Sequence, residues 1–496
     1  MTLARSPVRL PRSLAARVLR GSLPSFVADA VWPGQDQQQQ KKQTLQPTAY
    51  LDGLRGIASF VVFFCHYTEL HHGYLTPILL QLPLVRVVFS GRPMVHIFFV
   101  ISGFVLSYKP LRLLHAGALD KCHATLASSV FRRPMRLYLP CLVSTLLAAV
   151  LMQTGLIDAR AESWSAQIRS WAHAYLRSIT WPWAWDHHMM PAYDIHLWTI
   201  PIEFAHSMLL FMVLLGLSRL RTRLRQAATL VLIVYSAWCG KWAAIEFLAG
   251  LFLAEVHVLQ SLSPSSPMLP TASSAPTRGA GREKRCKWLR VLFHSSILVG
   301  CLFVAGWPNN KADETPGIRY LYQKTPASFI SNGDGDGNWI VQLFWFSWSG
   351  ILAVWSVGEL TYVRRLFESS VAQYCGKISY AIYVMHGPGL ELLQELVLGH
   401  RAEPAWGIAD TEGYVLGRAG WGVRGRIGIE TPMQRTMTWL VGLVVLGPMV
   451  VWMADLFWRL VDVPIVKLGR AVEELCIAPP GGIETAQYAD STKERE

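Results

Sequence analysis

The sequence predicts an all-α membrane protein with about ten transmembrane helices and with both termini on the cytoplasmic side. Three observations support this fold class. Only 16% of the 496 residues are charged, whereas soluble domains carry about 25%. Apolar segments that approach the length needed to cross a hydrocarbon core recur along the chain. Basic residues alternate between dense and sparse segments, as they do on the two sides of a membrane protein.

Ten apolar segments are candidate membrane spans. Several are shorter than the ~20 residues that a straight span needs, so tilted, broken or re-entrant helices are expected. The candidate spans cover residues 54–70, 93–108, 137–154, 197–217, 227–240, 241–259, 289–306, 339–357, 377–398 and 436–458.

The basic residues support an even number of spans and a cytoplasmic N-terminus. The segments predicted to share the side of the N-terminus contain 32 of the 46 lysines and arginines. Cytoplasmic loops are enriched in basic residues, so this side is predicted to be the cytoplasm. The net charge of +13 is then explained by topology, and we expect no nucleic-acid partner.

Polar segments flank and interrupt the apolar region. Residues 1–49 predict a disordered basic cytoplasmic tail, and residues 50–470 form the predicted membrane domain. Within that domain, residues 260–288 are rich in Ser, Pro and Ala and predict a flexible cytoplasmic linker. Residues 471–496 are a predicted C-terminal tail. The eight cysteines form no CxxC pair, which predicts neither a zinc site nor a disulfide framework.

The first span contains an arginine and a histidine on nearly the same helical face. Arg55 and His66 are eleven residues apart, which corresponds to about three turns and roughly 16 Å of α-helix. Arg55 then lies near the cytoplasmic surface and His66 lies deeper in the membrane. Two interpretations are open. An anionic cofactor from the cytoplasm contacts both side chains, or Arg55 anchors the span at the interface while His66 packs in the interior.

A second pair of basic residues precedes the third span. Arg133 and Arg136 are one turn apart, and a planar guanidinium forms bidentate hydrogen bonds to phosphate. The pair therefore predicts an anion-binding face, although basic clusters at cytoplasmic helix ends are common in membrane proteins.

Ionisable residues inside the other spans are candidates for function because each costs about 2.5–3.5 kcal/mol near a helix centre. Glu203 lies within the fourth span and needs a partner such as His66, an arginine or a substrate hydroxyl. His386 shares one face of the ninth span with Tyr380 and Tyr383. It either takes part in chemistry or orients another group.

Together and in this order, these segments resemble the acyltransferase 3 family of polytopic membrane O-acyltransferases, and more closely its fungal branch. The resemblance extends from Tyr50 to about Gly469. It rests on Leu51-Asp-Gly-Leu-Arg-Gly-Ile-Ala58 with the Arg-x10-His spacing at Arg55 and His66, Phe98-Phe-Val-Ile-Ser-Gly-Phe104, Arg133-x-x-Arg136, Leu197-Trp-Thr199 with Glu203, Ser379-Tyr380 through His386, and Val461-Asp-Val-Pro464.

The resemblance implies an enzyme that transfers an acetyl or another short acyl group from acyl-CoA to a hydroxyl of a sugar, lipid or small metabolite. It implies that His66 is the catalytic histidine and Arg55 its partner in the motif. It also implies that Arg133 and Arg136 contact the acyl donor. Acyl-CoA is the expected co-substrate, no metal is expected, and the lipid bilayer is the expected surrounding.

A histidine is suited to remove the proton from an attacking hydroxyl because its ordinary pKa is about 6.5. We therefore expect His66 to act as a general base, with Glu203 orienting it and His386 as a further catalytic candidate. Direct acylation of His66 is the other route that the sequence leaves open.

Other classes of protein are also consistent with intramembrane histidines. A multispan transporter would use His and Glu as proton-relay groups. A membrane redox protein would bind a metal or haem, although no two of its candidate histidines show ligand spacing on one helix; these are His66, His96, His206, His257 and His386. A scaffold that retains the fold without activity is a third alternative. The expected location is an endomembrane or the plasma membrane.

Overall fold

The structure is a computed structural model, and the predicted all-α class is confirmed in it, because no strand occurs among the residues that it describes. Those are residues 21–31, 46–69, 82, 84–157, 160–183, 185, 189–262, 280–308, 312–330, 337–399, 423–428 and 431–477.

The described residues form helices of very different lengths. They are α1 (Ser25–Val31), α2 (Ala49–Glu69), α3 (Gly91–His115), α4 (Leu119–Gln153), α5 (Trp164–Ala174), α6 (Thr199–Leu217), α7 (Thr222–Trp238), α8 (Trp242–Leu262), α9 (Ala280–Ala305), α10 (Ile318–Gln323), α11 (Ala327–Ile330), α12 (Gly337–Glu359), α13 (Thr361–Phe367), α14 (Ser370–Leu393), α15 (Val423–Ile427), α16 (Pro432–Phe457) and α17 (Val463–Cys476).

Each of the ten predicted spans coincides with a helix of this set. Among the described residues, seven segments are long and apolar enough to cross a membrane, judged by length and composition: Gly91–His115, Leu119–Gln153, Ile195–Leu217, Trp242–Leu262, Arg285–Ala305, Trp339–Glu359 and Pro432–Cys476. The other three predicted spans lie on α2, α7 and α14. Helix α7 has only 17 residues, and α2 and α14 carry the polar residues of the candidate site. The count of ten spans and the orientation of the termini remain predictions.

Part of the predicted N-terminal tail is attached to the helical bundle. The backbone N–H of Ser25 donates to the buried carboxylate of Asp455 on α16 at 2.9 Å, and the Ser25 hydroxyl donates to the same carboxylate at 2.6 Å. The ring of Phe26 packs edge-on against Tyr374 with centroids 5.2 Å apart. Residues 1–20 and 32–45 lie outside the described residues, as do residues 263–279 of the predicted linker.

A buried polar cluster joins α3, α8 and α12. The ring of His96 lies 2.5 Å from the carboxylate of Glu246, and the hydroxyl of Ser347 donates to the same carboxylate at 2.5 Å. The Glu246 side chain is completely buried. His96, one of the histidines considered for a redox centre, therefore takes part in helix packing.

Glycines allow two pairs of helices to cross at very short distances. A Cβ atom on Gly103 of α3 would lie 2.3 Å from the carbonyl oxygen of Phe247 on α8. A Cβ atom on Gly56 of α2 would lie 2.2 Å from the backbone nitrogen of Gly376 on α14. Small residues permit such close approach in membrane proteins, and the second crossing brings together the two helices that carry His66 and His386.

Replacing Gly103 with alanine is expected to destabilise the protein by about 1–3 kcal/mol, because the added methyl group forces α3 away from the backbone of α8. The matched control is Gly300→Ala on α9, where a Cβ meets no atom within 4 Å. Thermal unfolding of both variants in detergent measures the difference. Equal midpoints for the two variants would contradict the assigned crossing.

Candidate active site

Three histidines from different parts of the chain meet at one point, and we call this group the histidine triad. His66 lies near the C-terminal end of α2, His196 lies in the single helical turn Ile195–Trp198, and His386 lies on α14. The ring centroids are 4.2 Å apart for His66 and His196, 4.6 Å for His196 and His386, and 5.3 Å for His66 and His386. The structure thus brings together the two predicted histidines and adds a third that sequence reasoning missed.

Asp194 lies behind the triad and was also missed by sequence reasoning. Its Oδ1 atom lies 2.8 Å from Nδ1 of His196 and accepts the backbone N–H of His196 at 3.0 Å. Burial raises the pKa of Asp194 to about 6, while the neighbouring His386, the His196 backbone N–H and His66 oppose that rise. At neutral pH most of this carboxyl group is therefore ionised, and the carboxylate favours the His196 tautomer that is protonated on Nδ1.

Glycine at position 387 lets the pair of Asp194 and His196 pack against α14. A Cβ atom there would lie 2.6 Å from Oδ1 of Asp194 and 2.8 Å from Nδ1 of His196. This close contact joins α14 to the segment that contains Asp194 and His196, and the sequence alone does not reveal it.

The protonation of His386 follows from its contacts with the backbone of its own helix. Its Nδ1 atom lies 2.6 Å from the carbonyl oxygen of Tyr383 and 3.2 Å from that of Ile382. A carbonyl oxygen only accepts hydrogen bonds, so Nδ1 carries the proton and Nε2 presents its lone pair. The side chain is fully buried, and within the described part of the chain Nε2 has no hydrogen-bond partner.

Two tyrosines of α14 extend a line of polar groups from the triad along the helix. The hydroxyl of Tyr383 donates to the carbonyl oxygen of His196 and lies 2.5 Å from Oγ1 of Thr199. One turn earlier, the hydroxyl of Tyr380 donates to the carbonyl oxygen of Leu137 at 2.7 Å. The predicted common face of these tyrosines and His386 is therefore directed towards α4 and the helical turn that contains His196.

Arg55 lies further along the same helices, on the side of their cytoplasmic ends in the predicted orientation. Its Nε atom donates to the hydroxyl of Ser379 at 3.0 Å, and its guanidinium forms an ion pair with Asp52 at 3.3 Å. About a third of the Arg55 side chain is exposed, and Arg136 is exposed as well. Two of the three predicted donor contacts are therefore accessible.

Glu203 pairs with an arginine rather than with a histidine. Its Oε1 atom lies 2.7 Å from Nη2 of Arg133 and accepts the hydroxyl of Ser102 at 3.1 Å. We predicted Glu203 as the group that orients His66, and the structure instead places Asp194 next to the triad. The reason is geometric, because Glu203 is seven residues beyond His196, about 10 Å further along the chain axis. Of the partners considered for Glu203, the arginine is the one found.

The triad has the composition of a proton-accepting site and also of a metal site. One ring nitrogen from each histidine lies within 4.8 Å of those from the other two. A neutral imidazole accepts a proton or coordinates a metal ion through the same lone pair. The three ligand atoms come from three elements, which explains why no ligand spacing occurs on any one helix.

Comparison with known proteins gives a consistent set of matches. A family model described as an acyltransferase domain, of the acyltransferase 3 type, matches residues 48–459. The O-acetyltransferase PaAT-1 of Phomopsis amygdali is 28% identical over 476 residues, which cover 88% of this chain and 87% of that protein. The acyltransferase R4 of a Phoma species is 27% identical and covers 69% of this chain and 84% of the relative. The acyltransferase clz18 of Cochliobolus lunatus is 27% identical and covers 68% and 82%. No solved structure matches.

Proposed function

The chain belongs to the acyltransferase 3 family and is an enzyme that transfers acyl groups, and from this premise we propose its donor, its acceptor class and its base. The proposed reaction moves an acetyl or another short acyl group from acyl-CoA to a hydroxyl of a sugar, lipid or small metabolite. The observation that carries the proposal is the histidine triad beside Asp194, connected along α2 to a group of arginines. The O-acetyltransferase among the relatives supports the transfer of acetyl to oxygen.

His66 is the proposed general base. A hydroxyl attacks a thioester slowly unless its proton is removed as the new bond forms. His66 and His196 are each partly exposed, whereas His386 is buried, so a substrate reaches the first two more readily. His66 also lies on the helix that carries Arg55, which aligns it with the donor. The pair of Asp194 and His196 next to it favours the imidazolium that forms when His66 takes the proton.

The arginines are the proposed site for the phosphates of CoA. Guanidinium groups bind phosphate strongly through paired hydrogen bonds, and Arg55 and Arg136 are accessible. The roughly 16 Å along α2 between Arg55 and His66 gives room for the long arm that separates the CoA phosphates from its thioester. In the predicted orientation the arginines are on the cytoplasmic side, where acyl-CoA is available.

The reaction then proceeds with a simple balance of bonds and protons. The acceptor oxygen bonds to the acyl carbon, its proton moves to His66, and the carbon–sulfur bond breaks to release the CoA thiolate. The protonated His66 then gives that proton to the thiolate, which regenerates the base. The protein contributes mainly by holding donor and acceptor next to the base. We place the enzyme in an endomembrane or in the plasma membrane.

The test is a turnover assay with the purified full-length protein in lipid nanodiscs. Labelled acetyl-CoA is incubated with a metabolite and lipid extract, free CoA thiol is measured, and labelled products are identified by mass spectrometry. An O-acetylated product that His66→Ala protein does not form supports the proposal. Flux of a solute across proteoliposomes without any acylated product would instead support a transporter.

Replacing Asp194 with asparagine is expected to lower kcat by roughly 10- to 150-fold, which corresponds to the ~1.5–3 kcal/mol of a hydrogen bond to a charged group. The amide does not favour the Nδ1-protonated tautomer of His196 as the carboxylate does. KM for acetyl-CoA is expected to stay the same, because the hydrogen bonds of Asp194 are made to His196 and Asp194 is not part of the proposed donor site. The control is Asp313→Asn at an exposed position. A change in KM with unchanged kcat would contradict this positioning role.

A further inference from the structure

We propose that the histidine triad binds one Zn²⁺ ion, or another transition-metal dication that prefers nitrogen ligands, and that occupancy inhibits acyl transfer. The ligands are His66, His196 and His386. The binding stands on the geometry alone, whereas the inhibition rests on the proposed function of His66. The sequence predicts no metal site, because each of its helices contributes a single ligand.

The spacing of the three imidazoles is close to that of a zinc site. Their ligand atoms lie within 4.8 Å of one another. Zinc–nitrogen bonds of about 2.0–2.1 Å in tetrahedral geometry separate the nitrogens by roughly 3.4 Å. The rings therefore need to close by about 1.4 Å at most to reach this separation.

The hydrogen bonds at Nδ1 identify Nε2 as the ligand atom of two of the histidines. The backbone of Tyr383 holds the proton of His386 on Nδ1, and Asp194 does the same for His196. Each of these rings then coordinates through Nε2. A histidine ligand whose other nitrogen donates to a carboxylate or to a backbone carbonyl is the usual arrangement around zinc, and here both kinds of partner are present.

The buried Nε2 of His386 is the second observation that indicates a ligand. It is a strong acceptor in a fully buried side chain, without a hydrogen-bond partner among the described residues. An unsatisfied buried polar atom costs about 1–3 kcal/mol. A metal ion bonded to this nitrogen removes that cost.

The charge and ligand type select the class of ion. Three imidazoles suit Zn²⁺, Co²⁺ or Ni²⁺ rather than Mg²⁺ or Ca²⁺, which prefer oxygen. The carboxylate of Asp194 behind the ligands offsets part of the positive charge. Three protein ligands leave a fourth position for water or a small molecule.

Metal binding and proton transfer both need the lone pair of His66. When His66 coordinates the ion, its lone pair is not available to take a proton from an acceptor hydroxyl. Metal binding is therefore expected to inhibit turnover, and a chelator is expected to restore it.

The experiment measures binding without reference to activity. Full-length protein with Cys286→Ser and Cys476→Ser, which removes the two exposed cysteines, is treated with EDTA, desalted and titrated with Co²⁺ and with Zn²⁺. Visible absorption reports the binding of Co²⁺, and calorimetry reports the binding of both ions. We expect one ion per chain, loss of that ion in His196→Gln and His386→Gln, and about 10- to 100-fold weaker binding in Asp194→Asn.

The control for metal binding is the replacement of the exposed His173 with glutamine. Metal binding by this variant is expected to be unchanged. Thermal unfolding confirms that each variant is folded. If His386→Gln does not fold, His386→Asn takes its place. Equal binding by wild type and triad variants would overturn the site and leave acyl transfer untouched. Binding without loss of turnover would overturn the inhibition and count against His66 as the base.

Discussion

Replacement of His66 with alanine is expected to lower acyl transfer by about 10²- to 10⁴-fold, the usual contribution of a positioned general base. The alanine removes the proton acceptor but leaves the arginines near the other end of α2 unchanged. Binding of acyl-CoA is therefore expected to persist. Turnover with labelled acetyl-CoA and equilibrium binding of CoA, measured on the same preparation, check the two halves of this prediction.

The matched control for His66 is His173→Ala on α5, an exposed histidine away from the triad. Its turnover is expected to equal that of the wild type. His196→Ala serves as an internal comparison, since His196 has the carboxylate of Asp194 behind it. Full activity in His66→Ala together with complete loss in His196→Ala would transfer the role of base to His196. Formation of a labelled acyl-enzyme in the wild type would favour direct acylation of the histidine.

Replacement of Arg133 with alanine is expected to destabilise the protein by about 3–5 kcal/mol, because it leaves the charge of Glu203 without its partner inside the bundle. The two side chains are only 10% and 19% exposed. Binding of acyl-CoA is expected to weaken as well, because Arg133 is one of the predicted contacts to the donor. Thermal unfolding in detergent and equilibrium binding of CoA measure the two effects separately.

A double variant separates packing from donor binding. In Arg133→Ala with Glu203→Gln, the unpaired charge is absent, so most of the lost stability is expected to return. The affinity for CoA is expected to stay low. Arg132→Ala is the control, because the ion pair of Arg132 with Glu473 is more exposed and such pairs contribute about 0–1 kcal/mol. Wild-type CoA affinity in the double variant would limit Arg133 to a structural role.

The sequence by itself determined the helical class, the position of the helix on which each span is predicted, and the relation between residues on one helix. Apolar composition and helical periodicity are local properties, so they can be recognised without knowing which helices pack against one another. The alignment of Arg55 with His66, and that of Tyr380 and Tyr383 with His386, follow directly from 3.6 residues per turn. These alignments predicted two of the three histidines of the triad. They also predicted that Arg55 and the two tyrosines lie on the same helical faces as those histidines.

Only the tertiary structure decided which helices meet. The crossing at Gly56 brings His66 next to His386, and the loop before α6 adds Asp194 and His196. Periodicity within one helix carries no information about distances between helices, so these two residues had no signal in the sequence. The same limit explains Glu203, which the sequence correctly marked as needing a partner while only the packing of α4 against α6 selected Arg133. A metal site made of one ligand from each of three elements is likewise a property of the packed bundle, because its ligand spacing exists in space and not along the chain.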